Sequence, residues 1–174
     1  FLSIIMRNKI IIALLLFLFI TISAQNNGLE INGWTNVNTF KCSIPNFKNS
    51  NSVISINGNK IPNISLLIED FDCRNKMMTT DFRKVLKSEK YPHLDIKFLE
   101  FTKTNSNKFE AVVEVKMMTV ARKYNIDFSY YNNRLVGNKR VKFSDFKIIP
   151  PKKMGGIIYV KDELDLVYSL DTKE

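Results

Sequence analysis

Histidine occurs once in the 174 residues, at position 93, and cysteine twice, at positions 42 and 73. A single imidazole excludes a paired-histidine metal site and leaves at most one candidate base for a catalytic triad. His93 follows Pro92 directly, and with so few partners it reads as a structural or exposed residue rather than a catalytic one. With only six glycines the chain has no glycine-rich phosphate loop and no nucleophile elbow, and its cysteines are too far apart for a Cys-x-x-Cys motif. Asp70, Asp72 and Asp81 are the nearest approach to a carboxylate pair for acid–base work. Asp81 also stands where a helix N-terminus favours an acid, which accounts for it without catalysis. No catalytic residue, metal ligand or cofactor is therefore expected, and the chain reads as a non-enzyme.

What the N-terminus does have is an apolar run. Ile10 to Ile22 is 13 residues long, short of the roughly 20 that a spanning helix needs. Arg7 and Lys9 form a basic region ahead of it, and Ser23 and Ala24 supply small residues before Gln25. This is the pattern of a secretory signal peptide over residues 1–24, with Met6 the expected start and residues 1–5 upstream of it. No cysteine follows the cleavage point, which argues against a lipoprotein. Removing 24 of 174 residues leaves 150, one domain over residues 25–174 with enough chain to bury a core.

The segment lost carries two basic residues and no acid, so the net charge falls from +9 to +7. Basic proteins meet nucleic acid, anionic membrane surfaces or anionic ligands. Export makes nucleic acid the poorest of these and leaves transient contact with a membrane surface open. The lysines are dispersed along the chain rather than clustered, so solvated outer faces explain them equally well. Cys42 and Cys73 both survive cleavage, and an oxidising compartment favours a bridge between them over two buried thiols, although distance cannot be read from sequence.

From Leu29 onward, short β-like runs alternate with turn chemistry. The expected strands are Trp34–Cys42, Ser52–Asn57, Ile64–Phe71, Leu94–Thr102, Lys108–Met118, Lys123–Tyr131, Arg134–Ser144 and Ile157–Leu170, with turns at Asn57-Gly58-Asn59, Asn105-Ser106-Asn107 and Asn132-Asn133. Phe109, Ala111, Val113, Val115 and Met117 share one strand face opposite Glu110, Glu114 and Lys116, and Tyr124, Ile126, Phe128 and Tyr130 repeat the split. Into this pattern the stretch TDFRKVLKSEKYPHLDIKF (residues 80–98) inserts a change of period. Phe82, Val85 and Leu86 recur at helical spacing, whereas Leu94, Ile96 and Phe98 alternate. A helix from about Asp81 to Ser88, stopped by Pro92, is expected. Antiparallel strands with one dry face each must either stack as two sheets or roll up as one; closure into an eight-stranded antiparallel β-barrel removes the exposed edges, and the chain is then all-β apart from this helix, which lies near one mouth. Leu66, Ile68, Phe98, Val113, Val115, Ile126, Phe128, Leu164 and Leu166 then face inward, Phe82 and Leu86 come from the helix, and Met78 and Met117 are adaptable apolar linings. Pattern alone does not separate a filled interior from a tunnel.

The same stretch resembles the YceI-like family of bacterial envelope proteins. WTNVNTFKC (34–42) is similar to that family's first barrel strand in its cysteine-bearing branch, and DCRNKMM (72–78) to the segment leading to its helix. FSDFKIIPP (143–151) and IYVKDEL (158–164) are similar to its last two strands. The resemblance covers most of the mature chain. One departure is the turn after the central strand, where the family commonly has glycine and this chain reads MTVARK (118–123). The resemblance implies a lipocalin-like barrel whose apolar tunnel holds a long polyisoprenoid, in a secreted, usually periplasmic protein. It makes the thirteen apolar residues named above the expected lining for an amphiphilic, polyisoprenoid-like ligand that is transported, stored or sequestered. Arg122, Lys123 and Lys139 are candidates for its anionic head group. A dry, filled barrel serving as an envelope interaction or stress-associated module is the alternative.

Overall fold

Residues 27–45, 47, 54–55 and 61–173 are described by the structure, a computed structural model. The expected signal peptide and the turn at 57–59 lie outside the described residues. The strands are β1 (Gly28–Thr35), β2 (Thr39–Ile44), β3 (Ile54–Ser55), β4 (Ile64–Leu67), β5 (His93–Asn105), β6 (Lys108–Met117), β7 (Val120–Tyr131), β8 (Arg134–Lys142), β9 (Lys152–Lys153) and β10 (Ile158–Lys173). One helix, α1 (Lys76–Val85), separates β4 from β5. Eight strands form the path β2-β1-β10-β8-β7-β6-β5-β4, every neighbour antiparallel, with β9 and the parallel β3 attached to β10.

The meander β5–β8 follows from strict alternation and short polar turns. In the β7–β8 turn Asn132 and Asn133 both take positive φ, as a two-residue hairpin of the strand-matching hand requires. At the β6–β7 turn, where glycine is missing, Met118 itself adopts φ 52°. The turn is as tight as a glycine would make it, at the modest cost of a left-handed side-chain residue.

The expected strand Trp34–Cys42 is instead a hairpin. The Thr35 hydroxyl accepts from the amides of Val37 (3.2 Å) and Asn38 (2.7 Å), turning the chain without glycine or proline and dividing the run between β1 and β2. The expected strand Ile64–Phe71 also ends early, at Leu67, where a 3-10 turn over Ile68–Asp70 bends the chain away from the sheet. That bend lays Asp72 against β2. The amides of Ser43 and Asp72 each donate to the other's carbonyl (2.9 and 3.0 Å), and Cys42 and Cys73 form a disulfide. The two edge strands, β2 and β4, are thus drawn together at one end, and the curled sheet is fastened by a bridge and a bond rather than by a full ladder.

The helix starts five residues earlier and ends three residues earlier than the sequence reading placed it. Asn75 is its N-cap, with a side-chain oxygen accepting from the Met78 amide (3.1 Å). Asp81 is consequently mid-helix, where it pairs with Lys153 instead of serving an N-terminus. The helix ends before Pro92: Lys87 turns left-handed (φ 52°), and the Ser88 amide donates to the Arg83 carbonyl (3.0 Å), closing the helix as a Schellman-type cap.

Candidate ligand site at the helix-capped mouth

One end of the barrel is crowned by the β1–β2 turn, α1, the β6–β7 turn and the segment between β8 and β10. Between the first two and the start of β10 lies a cavity of about 480 Å³, within the usual size of small-molecule sites. Its apolar wall is Phe40, Met77, Met78, Ile158 and Val160, and its polar rim includes Lys41, Arg74, Asn75, Asp81 and Lys153. Gly33 sets the position of the Phe40 wall, since a Cβ there would lie 2.2 Å from the Phe40 ring, which therefore folds over the bare backbone.

The rim is charged but internally ordered. Lys41 pairs with Glu30 at 2.9 Å, and Lys153 pairs with Asp81. Burial alone would push the Glu30 carboxyl up, but hydrogen bonds from Lys41 and Asn32 and the nearby charges of Lys41 and Arg74 outweigh it and hold the group below the ordinary glutamate range. Arg74, in a left-handed conformation, forms no ion pair among the described residues.

Behind the mouth, the candidate lining falls into two groups. Leu66, Ile68, Leu86, Val113, Val115, Met117, Ile126, Phe128, Leu164 and Leu166 each expose 2% or less of their surface and pack into one core. Met78, Phe82 and Phe98 are half-buried, and Met78 alone of the thirteen lines the open cavity. Rings run through the interior: Phe98 to Phe128 and Phe128 to Tyr168, each at 5.9 Å. The Phe128 ring covers Gly137, where a Cβ would meet it at 2.5 Å. Tyr168 is fully buried, and its hydroxyl has no hydrogen-bond partner among the described residues. Burial, and secondarily Tyr124, pushes its ionisation well above the ordinary range.

The β7–β8 ladder stops at Phe128–Gly137, so the mouth-proximal halves of these two strands pair with β6 and β10 but not with each other. A 3-10 turn at Ser144–Phe146 fills the opening, with Phe146 fully buried and the Tyr124 hydroxyl donating to Asp145 at 3.0 Å. Burial first, and then Asp145, raises the Tyr124 ionisation above its ordinary range. Lys139 stands at this parting on the inward side of β8, half-buried, whereas Arg122 and Lys123 are exposed at the mouth end of β7. None of the three reaches the cavity, whose cations are Lys41, Arg74 and Lys153. Sequence reasoning missed Phe40, Met77, Ile158 and Val160 because it treated lining as a property of strand centres. The alternation Phe40-Cys42-Ile44 was the available signal for Phe40, and adjacency to Met78 that for Met77.

Among solved structures, the chain is similar to BcnA of Burkholderia cenocepacia, with a TM-score of 0.64 and 15% identity over 84% of this chain and 96% of that one. It is also similar to a YceI protein of Campylobacter jejuni, with a TM-score of 0.50 and 16% identity over 64% of this chain and 72% of that one. No family model and no curated protein matches the sequence. At these identities the likeness is one of fold, and it is the fold that the sequence resemblance implied.

Proposed function

From a chain with the YceI-like fold, we propose an exported protein that binds an amphiphilic, polyisoprenoid-like lipid reversibly, without turnover. The observation that carries this reading is the apolar cavity at the helix-capped mouth, continuous in character with the core behind it and rimmed by Lys41, Arg74 and Lys153. An anionic or polar head stays at this wet rim. The tail enters past the half-buried Met78 and Phe82 and lies along Ile68, Phe98, Val113, Val115, Ile126 and Phe128 as these side chains repack. Each methylene buried is favourable by about 0.8 kcal/mol. The Cys42–Cys73 disulfide supports an oxidising, envelope-side location.

A second reading has its own observation. Ten of the thirteen candidate side chains pack with almost no free surface, as a filled scaffold for envelope interactions would have them. Lipid co-purifying with the wild type separates the two, and replacement of Met78 tests the mouth as its entrance. Met78 is half-buried and lies on the cavity, so Met78→Asp should keep the far-ultraviolet spectrum of the wild type while losing any lipid that co-purifies from the native host. Lipid retained in full by this variant would remove the mouth from the binding path.

A further inference from the structure

The end of the molecule that carries α1 exposes several large apolar side chains around the segment before β10: Val37, Met77, Ile149, Met154, Ile157 and Tyr159. Ile149 shows 86% of its surface, Ile157 71%, Val37 69% and Met154 68%. Single exposed apolar residues are ordinary, but a group of this size on one face marks an interaction surface.

The group is held as one surface. The Asn36 side chain donates to the Ile157 carbonyl (2.9 Å) and accepts from the Tyr159 amide (3.1 Å), fixing the β1–β2 turn to the start of β10. Lys153 joins Asp81, fixing β9 to α1. At the outermost point Met154, Gly155 and Gly156 all have positive φ, and nothing lies within 4 Å of where side chains on the two glycines would begin. The tip stands clear of the barrel.

Charge identifies what it meets. Residues 147–160 contain Lys147, Lys152 and Lys153 and no acid. Lys147 and Lys152 are exposed and form no ion pair among the described residues. Three acids bordering this segment, Asp81, Asp145 and Asp162, are engaged internally. Asp81 pairs with Lys153, Asp145 accepts from the Tyr124 hydroxyl and the Lys142 amide, and Asp162 accepts from the Ser144 amide and hydroxyl. A second copy of the chain would bring lysines against lysines. An anionic bilayer surface accepts both the lysines and the apolar tips.

We propose that this face docks on the surface of a lipid bilayer with anionic head groups, by insertion of Ile149, Met154 and Ile157 between them. It turns the mouth cavity toward the membrane. The inference rests on the exposed rim alone and stands whether or not the barrel interior takes a ligand.

The test is sedimentation of the protein from Gln25 onward, which spans every described strand, with vesicles of phosphatidylcholine alone or mixed equally with phosphatidylglycerol. Binding to the mixed vesicles, weak binding to the neutral ones and loss at high salt are expected. Lys147→Gln and Lys152→Gln should each weaken binding about fivefold. The combined Ile149→Ser, Met154→Ser, Ile157→Ser variant should abolish binding with an unchanged circular dichroism spectrum, because all three side chains are exposed. The proposal is overturned if the wild type ignores anionic vesicles, or if the triple variant binds them equally. It is also overturned if the wild type dimerises through this face and the triple variant does not. Lipid co-purifying with the triple variant reads the barrel interior independently, so failure to dock and failure to hold a ligand are told apart.

Discussion

Tyr168 places a hydroxyl in the centre of the core with no partner among the described residues, while its ring packs edge-on against Phe128. A buried polar group left unpaired costs stability, so Tyr168→Phe should raise unfolding stability by about 1 kcal/mol, read by urea titration of lipid-free protein. The pH dependence has a definite sign. A tyrosine whose ionisation is raised in the folded state contributes stability that is fully present below its unfolded value, about 10, and is lost as pH rises through the folded value. The wild type should therefore lose stability on the alkaline side of pH 10 more steeply than the variant. Equal stability and equal alkaline slopes would mean the hydroxyl is solvated after all. Strand alternation pointed to Leu164 and Leu166 as inward, and Tyr168 is the next residue of that series. It was not among the expected lining residues; it lies opposite Gly137 in the β8–β10 ladder, where the Phe128 ring it packs against covers the bare backbone.

At the scale of elements, the parts legible in sequence were those whose signals are local. The β5–β8 meander followed from alternation and asparagine turns. The first hairpin did not, because its turn depends on a threonine hydroxyl in a run with neither glycine nor proline. The helix was recognised by Phe82, Val85 and Leu86 but started too late, since Asp81 looked like an N-terminal acid while the real cap is Asn75. The early bend after β4 was illegible for a different reason: it is set by where Asp72 and Cys73 must go to reach β2. That junction joins the sheet's edges and anchors the helix, with the Cys73 amide donating to the Thr79 hydroxyl at 3.0 Å. Replacing both cysteines by alanine should lower unfolding stability by about 2–4 kcal/mol, measured by urea titration. An unchanged midpoint would show that the Ser43–Asp72 bridge alone holds the edges together.

For the whole molecule, strand alternation and turn chemistry gave antiparallel strands with one helix, the family resemblance pointed to the barrel, and the fold shared with BcnA and the Campylobacter jejuni YceI protein agrees. The site was less legible. Alternation tells inward from outward, but a cavity exists only where the β1–β2 turn, α1 and β10 leave space between them, and no single strand encodes that space. Under the proposed function, the barrel holds an amphiphilic lipid through its helix-capped mouth. Native mass spectrometry of protein purified from its own envelope tests it most directly. A non-covalent added mass of a long-chain lipid that organic extraction removes is expected. The bare polypeptide mass in every such preparation would contradict it.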